Sequence, residues 1–420
     1  MEELVAVQVP APSPACRHCQ ASLGEPFLDL GVSPLANSYL RPEELARPET
    51  FYPLQVFACP SCRLVQLPPA ERPEEIFSDY AYFSSYSESW LRHAERFAEA
   101  ACARFGLGPA SQVVEVASND GYLLRFFAAR GVPVLGVEPA ANVATAAEQL
   151  GIATLNRFFG LALARELAAG GQSADLLVGN NVLAHVPDLG DFVAGLAHLL
   201  KPSGVLCMEF PHLLRLLAES QFDTIYHEHF SYFSLTTASR VFAAHGLAVF
   251  DVEELGTHGG SLRVYAARAE AGRAPSERVL ELSERERSAG LEGTEVYARL
   301  AAQAHRVKVE LLRFLLDAGA AGRKVAGYGA PAKGNTLLNF CGVKPDLLPY
   351  TVDLSPHKQG LYLPGTRIPI YAPEHLAEDR PDYVLILPWN LKEEIQSQMA
   401  SVRAWGGRFV VPIPGLTVLP

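Results

Sequence analysis

From about residue 111 the chain alternates short apolar runs with stretches of helical periodicity: QVVEVAS, then VPVLGVEP, then ADLLVGNN, then GVLCMEF. Continuous apolar strands separated by helices predict an α/β fold with a doubly wound parallel sheet covered on both faces. Two further runs, LAVFDVEEL (247–255) and SLRVYAARA (261–269), predict a closing hairpin around a GTHGG turn. Residues 275–320 are charged and carry no strand signal, so they read as linking helices. From Lys324 a second alternation begins with KVAGYGAP, DLLPYTVD, PDYVLILPWN and GRFVVPIP, which predicts a smaller Rossmann-like unit. Upstream, LQVFACP and RLVQLPP read as strands, and a helix pattern starts near Ser89 after the aromatic, hydroxyl-rich FSDYAYFSSYSESW (77–90).

The cysteines change this picture at the N-terminus. Cys16/Cys19 and Cys59/Cys62 are two C-x2-C knuckles, a pattern that presents four thiolates to one tetrahedral Zn²⁺. Four sulfurs close the coordination sphere, so such a metal is structural. The expected parts are therefore a zinc-binding module (1–75), a central Rossmann-like domain (76–270), and linking helices with a C-terminal Rossmann-like domain (271–420). The other cysteines, Cys102, Cys207 and Cys341, are isolated, as expected of small buried residues in a reducing cytoplasm. A net charge of −11 argues against a nucleic-acid surface, which needs clustered Lys and Arg. No apolar stretch reaches the roughly 18 residues of a membrane span. The acidic, proline-containing opening resembles neither a secretion signal nor a transit peptide. A soluble cytoplasmic enzyme acting as a monomer is the expectation, with the oligomeric state left open.

Strand QVVEVAS runs into Asn119-Asp120-Gly121 and the apolar start of a helix, so backbone N–H groups there face the carboxyl edge of the sheet. The next strand ends in Glu138, which is placed to accept from ribose hydroxyls. A nicotinamide dinucleotide or S-adenosylmethionine suits such a turn. The missing G-x-G-x-x-G spacing, the acidic Glu115 and Asp120, and the closing hairpin favour the second, because carboxylates repel a diphosphate and suit a sulfonium and an amine.

The densest chemistry lies in QFDTIYHEHFSYFSL (221–235), where Tyr226, His227, Glu228 and His229 are consecutive. HExxH spacing is absent, so a catalytic zinc is not indicated. In an extended or looped segment only some of the four can converge on one cavity. Asn181 and His185, four apart after ADLLVGN, are expected on one helical face at the same sheet edge. In the C-terminal part GYGAPAKGN (327–335) sets a Gly-rich turn containing Gly329 before Lys333 at a helix start. Backbone N–H groups plus an ammonium suit an anion, and a substrate diphosphate, a nicotinamide dinucleotide or a purely structural turn all remain open. His258 in HGG is either part of the hairpin turn or faces the cleft.

The order of the paired CxxC motif, DYAYFSSYS, VEVASNDGYLL, GNNVLAHVPD, YHEHFSYFSL, THGGSLRVY and GYGAPAKGNTLLN resembles S-adenosylmethionine-dependent C-methyltransferases of nucleotide-linked 4-keto deoxysugars. Such enzymes build branched sugars of antibiotics and cell-surface glycans. The resemblance implies a class I methyltransferase domain and methyl transfer to a ring carbon, C-3 above all, of an NDP-sugar, dTDP by preference. It implies cofactor contacts at Glu115, Ser118, Asn119, Gly121, Glu138 and Asn180, and His229 as the base that removes the proton beside the ketone. Glu228 is expected to orient a histidine or to hold a sugar amine or hydroxyl. Tyr226, Tyr80 and His185 are candidate donors to the enolate oxygen, with Tyr82 and Tyr86 close enough to compete with Tyr80, and Asn181 is a candidate for placing substrate or cofactor. Lys333, Gly329 and His258 are the candidate contacts to the substrate's nucleotide. The alternatives at this point are an NAD-dependent nucleotide-sugar oxidoreductase and an inactive zinc-containing scaffold.

Overall fold

The computed structural model describes residues 14–71 and 83–419. Near the N-terminus β1 (Leu28–Ser33), β2 (Tyr52–Ala58) and β3 (Val65–Gln66) form an antiparallel sheet. The central part carries β4 (Val113–Val116), β5 (Val134–Val137), β6 (Thr154–Leu155), β7 (Ala174–Asn180), β8 (Leu200–Pro211), β9 (Ser231–Tyr232), β10 (Leu247–Leu255) and β11 (Ser261–Arg268). In the C-terminal part β12 (Val325–Tyr328), β13 (Thr351–Val352), β14 (Ile370–Tyr371), β15 (Tyr383–Ile386), β16 (Arg408–Val411) and β17 (Thr417–Leu419) follow two long helices, Glu277–Ser288 and Glu295–Ala320.

The central sheet has the order β10-β11-β8-β7-β4-β5-β6, parallel from β8 to β6, with the predicted hairpin at one edge. Its middle strands are apolar because helices cover both faces; every residue of β4 is buried, Glu115 included. The chain winds outward through β5 and β6 and then returns to β7 on the other side of β4. This reversal opens a crevice at the carboxyl ends of β4 and β7. The C-terminal sheet, β14-β13-β12-β15-β16-β17, is parallel up to its last strand and reverses between β12 and β15.

Helix Glu88–Phe105 opens on Ser87, whose hydroxyl accepts from the Trp90 N–H, and ends at Gly106 with φ 64°. Its buried positions, Trp90, Ala94, Phe97, Ala98 and Ala101, keep the helical period and face the central sheet. In helix Glu295–Ala320 the same spacing buries Leu300, Ala304, Val307, Leu311 and Leu315.

The cysteine-bearing sheet differs from a self-contained module. Its fourth strand is β9, which pairs Val65 with Tyr232 and Gln66 with Ser231, directly after His229. Leu28, Leu54 and Val56 bury against the C-terminal part, while Phe57 and Leu64 bury in the central core. Three short strands cannot enclose a core alone, so the module borrows one from both neighbours. Among the described residues no helix is long and apolar enough to cross a membrane.

Candidate active site

The sulfur atoms of Cys16, Cys19, Cys59 and Cys62 all lie within 4.8 Å of one another, with Cys16 and Cys62 3.5 Å apart and Cys19 and Cys59 3.4 Å apart. Four thiolates on a tetrahedral zinc at about 2.3 Å each sit roughly 3.8 Å apart, so the donor set and its spacing fit that ion. The Gln66 amide donates to Cys16 Sγ at 3.1 Å and the Cys62 N–H to Cys59 Sγ at 3.4 Å. Among the described residues the cluster has no fifth donor, as a closed structural site requires.

At the carboxyl end of β4 the turn is built on left-handed residues: Ala117 (φ 54°), Asn119 (φ 49°) and Gly121 (φ 75°). The Ser84 N–H donates to Asn119 Oδ1 at 2.9 Å, and the N–H and hydroxyl of Ser85 both donate to Asp120 Oδ2. The FSSYS segment is thereby pinned across the turn. Glu138 accepts from the Asn119 and Ala140 N–H groups, one on each oxygen, at 2.9 Å. Asn180 donates to the Tyr122 hydroxyl at 3.0 Å.

Several buried polar atoms in this crevice have no hydrogen-bond partner: both oxygens of Glu115, Ser118 Oγ, Asp120 Oδ1 and Asn180 Oδ1. Burial pushes the Glu115 carboxyl well above the ordinary range, the charges of Glu138 and Asp120 add to the shift, and the nearby Tyr122 phenol offsets only part of it. A buried carboxylate without a partner marks a place for a cation. A cofactor carrying an amine or a sulfonium would supply one.

Next to the crevice the segment after residue 221 folds so that its histidines diverge. The His229 N–H donates to Tyr226 O at 2.9 Å, closing a turn that brings the two rings within 4.0 Å, tilted at 34°. His229 Nδ1 lies 2.9 Å from Thr224 O, and His185 Nδ1 lies 2.7 Å from Glu228 O. A carbonyl can only accept, so each Nδ1 carries the proton and each Nε2 the lone pair. The two imidazoles meet edge to face at 4.7 Å. Burial, then the neighbouring His185, holds His229 well below the usual imidazole range, with Lys333 and His258 adding to the depression. Burial brings His185 down to about 4.

The remaining predicted residues distribute as follows. His227 turns away toward Pro53 O at 3.2 Å and the Tyr52 ring. The Glu228 carboxylate does not orient a histidine; its backbone carbonyl does. Its Oε1 accepts from the Asn37 N–H and side chain at 3.2 Å, while Oε2 is buried without a partner. Asn181 and His185 do not share a helical face. Asn181 is left-handed (φ 54°) and meets His258 Nε2 at 3.2 Å, whereas His185 ends a short 3-10 turn, Leu183–His185. The carbonyl of Glu209 takes the Asn181 N–H at 2.7 Å and prevents a helix there. His258 sits in a strained turn (φ 53°), 5.2 Å from the Trp90 ring, with its pKa pushed down to about 4, first by burial and then by Lys333. Tyr80 and Tyr82 lie outside the described residues. Tyr86 is exposed and contacts His357.

At the C-terminal Gly-rich turn the expected anion nest is closed. The Gly329 N–H donates to Val352 O at 2.6 Å and the Ala330 N–H to the Asp353 carboxylate at 2.7 Å. Gly329 serves packing, since a Cβ there stands 2.5 Å from Pro388 Cδ at φ 88°. Lys333 does enter the cleft. It donates to Asn390 Oδ1 at 2.8 Å, lies 5.1 Å from the Trp389 ring, and is held below the ordinary lysine range by burial. Asp223, which accepts from Trp389 Nε1 at 2.7 Å, is pushed up to about 7 by burial despite the Lys333 charge. The sequence reading missed Asn37, Asp223 and a buried network in which Glu209 accepts from Thr257 and Arg263 and pairs with His93 at 3.0 Å. Burial works to raise the Glu209 pKa, and His93 and Arg263 together overrule it. A lone carboxylate inside an apolar strand, MEF, was the available signal for Glu209.

Three family models divide the chain between them: a zinc binding domain over residues 16–77, a methyltransferase domain over 90–252 and a C-methyltransferase C-terminal domain over 256–414. The chain is 38% identical over 403 residues to the C-methyltransferase NovU of Streptomyces niveus, covering 96% of both chains. The chain belongs to the C-methyltransferase family. A ubiquinone biosynthesis O-methyltransferase of Sinorhizobium fredii matches 25% of the chain and 46% of its own at 26% identity. The Synechocystis magnesium protoporphyrin IX methyltransferase with bound SAH aligns over 42% of this chain and 83% of its own, at 16% identity and a TM-score of 0.34, too low to weigh further. This C-methyltransferase uses S-adenosylmethionine and carries a zinc-binding domain.

Proposed function

We propose that this C-methyltransferase moves a methyl group from S-adenosylmethionine to C-3 of a dTDP-linked 4-keto-deoxysugar, with His229 as the base. The observation that carries this reading is the His229 tautomer: Thr224 O holds the Nδ1 proton, which leaves the Nε2 lone pair on a neutral ring beside His185 and Tyr226. A C–H next to a ketone is a weak acid, and a positioned base raises the rate typically by a factor of about 10²–10⁴.

In the proposed reaction His229 Nε2 takes the proton from C-3 and the electron pair moves to the ketone oxygen as an enolate. The Tyr226 phenol is the donor to that oxygen, and Lys333 supplies positive charge to the same cavity; His185, whose ring proton is held on Nδ1 by Glu228 O, has none to give and orients the site instead. S-adenosylmethionine, when bound, offers an electrophilic methyl on a positive sulfur. Glu115, Ser118, Asn119, Gly121, Glu138 and Asn180 hold it at the β4–β7 crevice. The enolate carbon forms the new C–C bond as the methyl–sulfur bond breaks, the ketone re-forms, S-adenosylhomocysteine leaves, and His229 passes its proton to solvent. Lys333 and His258 are assigned to the phosphate side of the sugar nucleotide. Gly329 is left out, because its N–H and that of Ala330 are already spent; the same saturation weakens a nicotinamide reading of that turn. An inactive scaffold has no use for unpartnered Glu115 and Glu228 oxygens in a cleft. Four reduced thiolates are consistent with a cytoplasmic place of action.

The test is deuterium uptake at C-3 from D2O, with S-adenosylhomocysteine bound, in wild type and His229→Asn. The variant is expected to lose at least about 100-fold in exchange and methylation alike. Normal exchange in His229→Asn overturns the assignment.

A further inference from the structure

Between the two halves of the first knuckle stands a residue that the reaction does not use. Arg17 follows Cys16 directly. Its backbone N–H donates to Gln66 Oε1 at 2.9 Å, and that same Gln66 amide donates to Cys16 Sγ. Its side chain leaves the knuckle and runs toward the histidines. Nη1 donates to Pro187 O at 2.9 Å, Nη2 to Leu67 O, and the guanidinium lies 5.3 Å from the centre of the Phe230 ring.

Pro187 is two residues beyond His185, and Phe230 is the neighbour of His229. Leu67 donates its own N–H to Phe230 O at 3.0 Å, so the carbonyl that Arg17 grips belongs to the strand end paired with the His229 segment. One planar group thus ties together the backbone after His185, the ring after His229 and the end of β3, just past the second knuckle. Taking a guanidinium out of water is costly, and three fixed contacts are what a long, flexible side chain needs to stay in one rotamer.

We infer that Arg17 is a positioning residue for the proposed reaction: anchored by the zinc-held knuckle, it sets the separation of His185 from His229. This rests on the proposed role of His229. The geometry gives the N-terminal module a part in catalysis that its distance from the reacting atoms conceals. A lysine has one donor head and reaches one carbonyl at a time; a methionine keeps the stem and loses both bonds. Displacement of an imidazole by about 1 Å costs up to roughly 100-fold in rate.

The experiment compares wild type, Arg17→Met, Arg17→Lys and His229→Asn as full-length proteins. Zinc content, KM for both substrates, kcat and C-3 deuterium exchange are measured for each. Arg17→Met is expected to keep one zinc per chain and near-normal KM values while kcat and exchange fall about 10–100-fold. Arg17→Lys is expected to fall between it and wild type. A kcat within twofold of wild type in Arg17→Met, or a loss of zinc that accounts for the fall, overturns the inference. If Arg17→Met does not fold, the Arg17→Lys kcat decides by the same criteria. His229→Asn separates the two failures: normal exchange there defeats the base assignment, whereas its loss together with a normal Arg17→Met defeats only the positioning role.

Discussion

On the proposed reading Glu115 serves cofactor binding at the expense of stability, and its substitution tests the cofactor crevice directly. The carboxyl is fully buried on β4 with no cation beside it among the described residues, and burial, only partly offset by the Tyr122 phenol, raises its pKa well above the ordinary carboxylate range. In the unfolded chain it titrates in the ordinary range. Between that range and its folded pKa the native state therefore binds more protons than the unfolded state, and stability falls as pH rises. At pH 7 the penalty cannot exceed the cost of keeping the proton on. Two and a half units above 4.5, at 1.36 kcal/mol each, make about 3 kcal/mol. Glu115→Gln removes the titration and keeps the shape, although the buried amide still costs about 1 kcal/mol. The ligand-free variant is expected to be about 1–2 kcal/mol more stable than wild type at pH 7, with the gap closing at pH 4.5. The same variant should bind S-adenosylhomocysteine poorly, whereas wild type at 100 times its Kd gains about 2.7 kcal/mol. Denaturant melts at pH 4.5, 6 and 7.5, with and without S-adenosylhomocysteine, measure both effects. A variant less stable than wild type at pH 7, or a gap that does not widen with pH, refutes the reasoning.

Two other outcomes are expected. Cys59→Ser removes one of four thiolates, and because structural zinc is worth roughly 10–16 kcal/mol in small domains, metal analysis should find zinc lost and the melt shifted sharply down; one zinc per chain with an unchanged melt counts against the site. The pH profile of kcat/KM should show an acid limb below the ordinary imidazole value of 6.5, since burial and His185 keep His229 deprotonated there, and a limb above pH 7 is incompatible with a base so held.

The layered fold was legible because parallel strands buried on both faces leave near-continuous apolar runs, and β4, β5, β7 and β8 carry them, interrupted within the buried stretch by Glu115 and Glu209. The knuckles were legible because metal spacing is a local property. What escaped was set by contacts distant in sequence or by backbone atoms. Asn37 reaches Glu228 across 191 positions of sequence, and nothing around Asn37 announces it. The group that orients His185 is a carbonyl, which any residue at position 228 provides. Asn181 breaks the expected helical spacing because Glu209 O captures its N–H, a strand-to-loop bond with no pattern of its own. The Gly-rich turn misled for the opposite reason: its glycine is required by a clash with Pro388, and its N–H groups were taken before any anion arrived.

The depressed histidine raises a chemical tension that the same residues resolve. A base pulled below the ordinary range is a weak one, and on that ground alone burial beside His185 hinders proton removal from carbon. Burial is the main cause, but a positive field adds to it: Lys333 lowers His229 and His258 together. In the proposed reaction proton transfer to His229 creates an enolate in the same cavity, and the charge that disfavours the imidazolium favours the enolate. The field therefore costs little when cation and anion form side by side, and it opposes protonation of the resting enzyme, when no anion is there to balance it. Asp223, with its unpartnered Oδ1 and a pKa near 7, lets that field be trimmed without being cancelled. A strongly basic, solvated histidine would take its proton from water and stay occupied. The buried one waits for substrate.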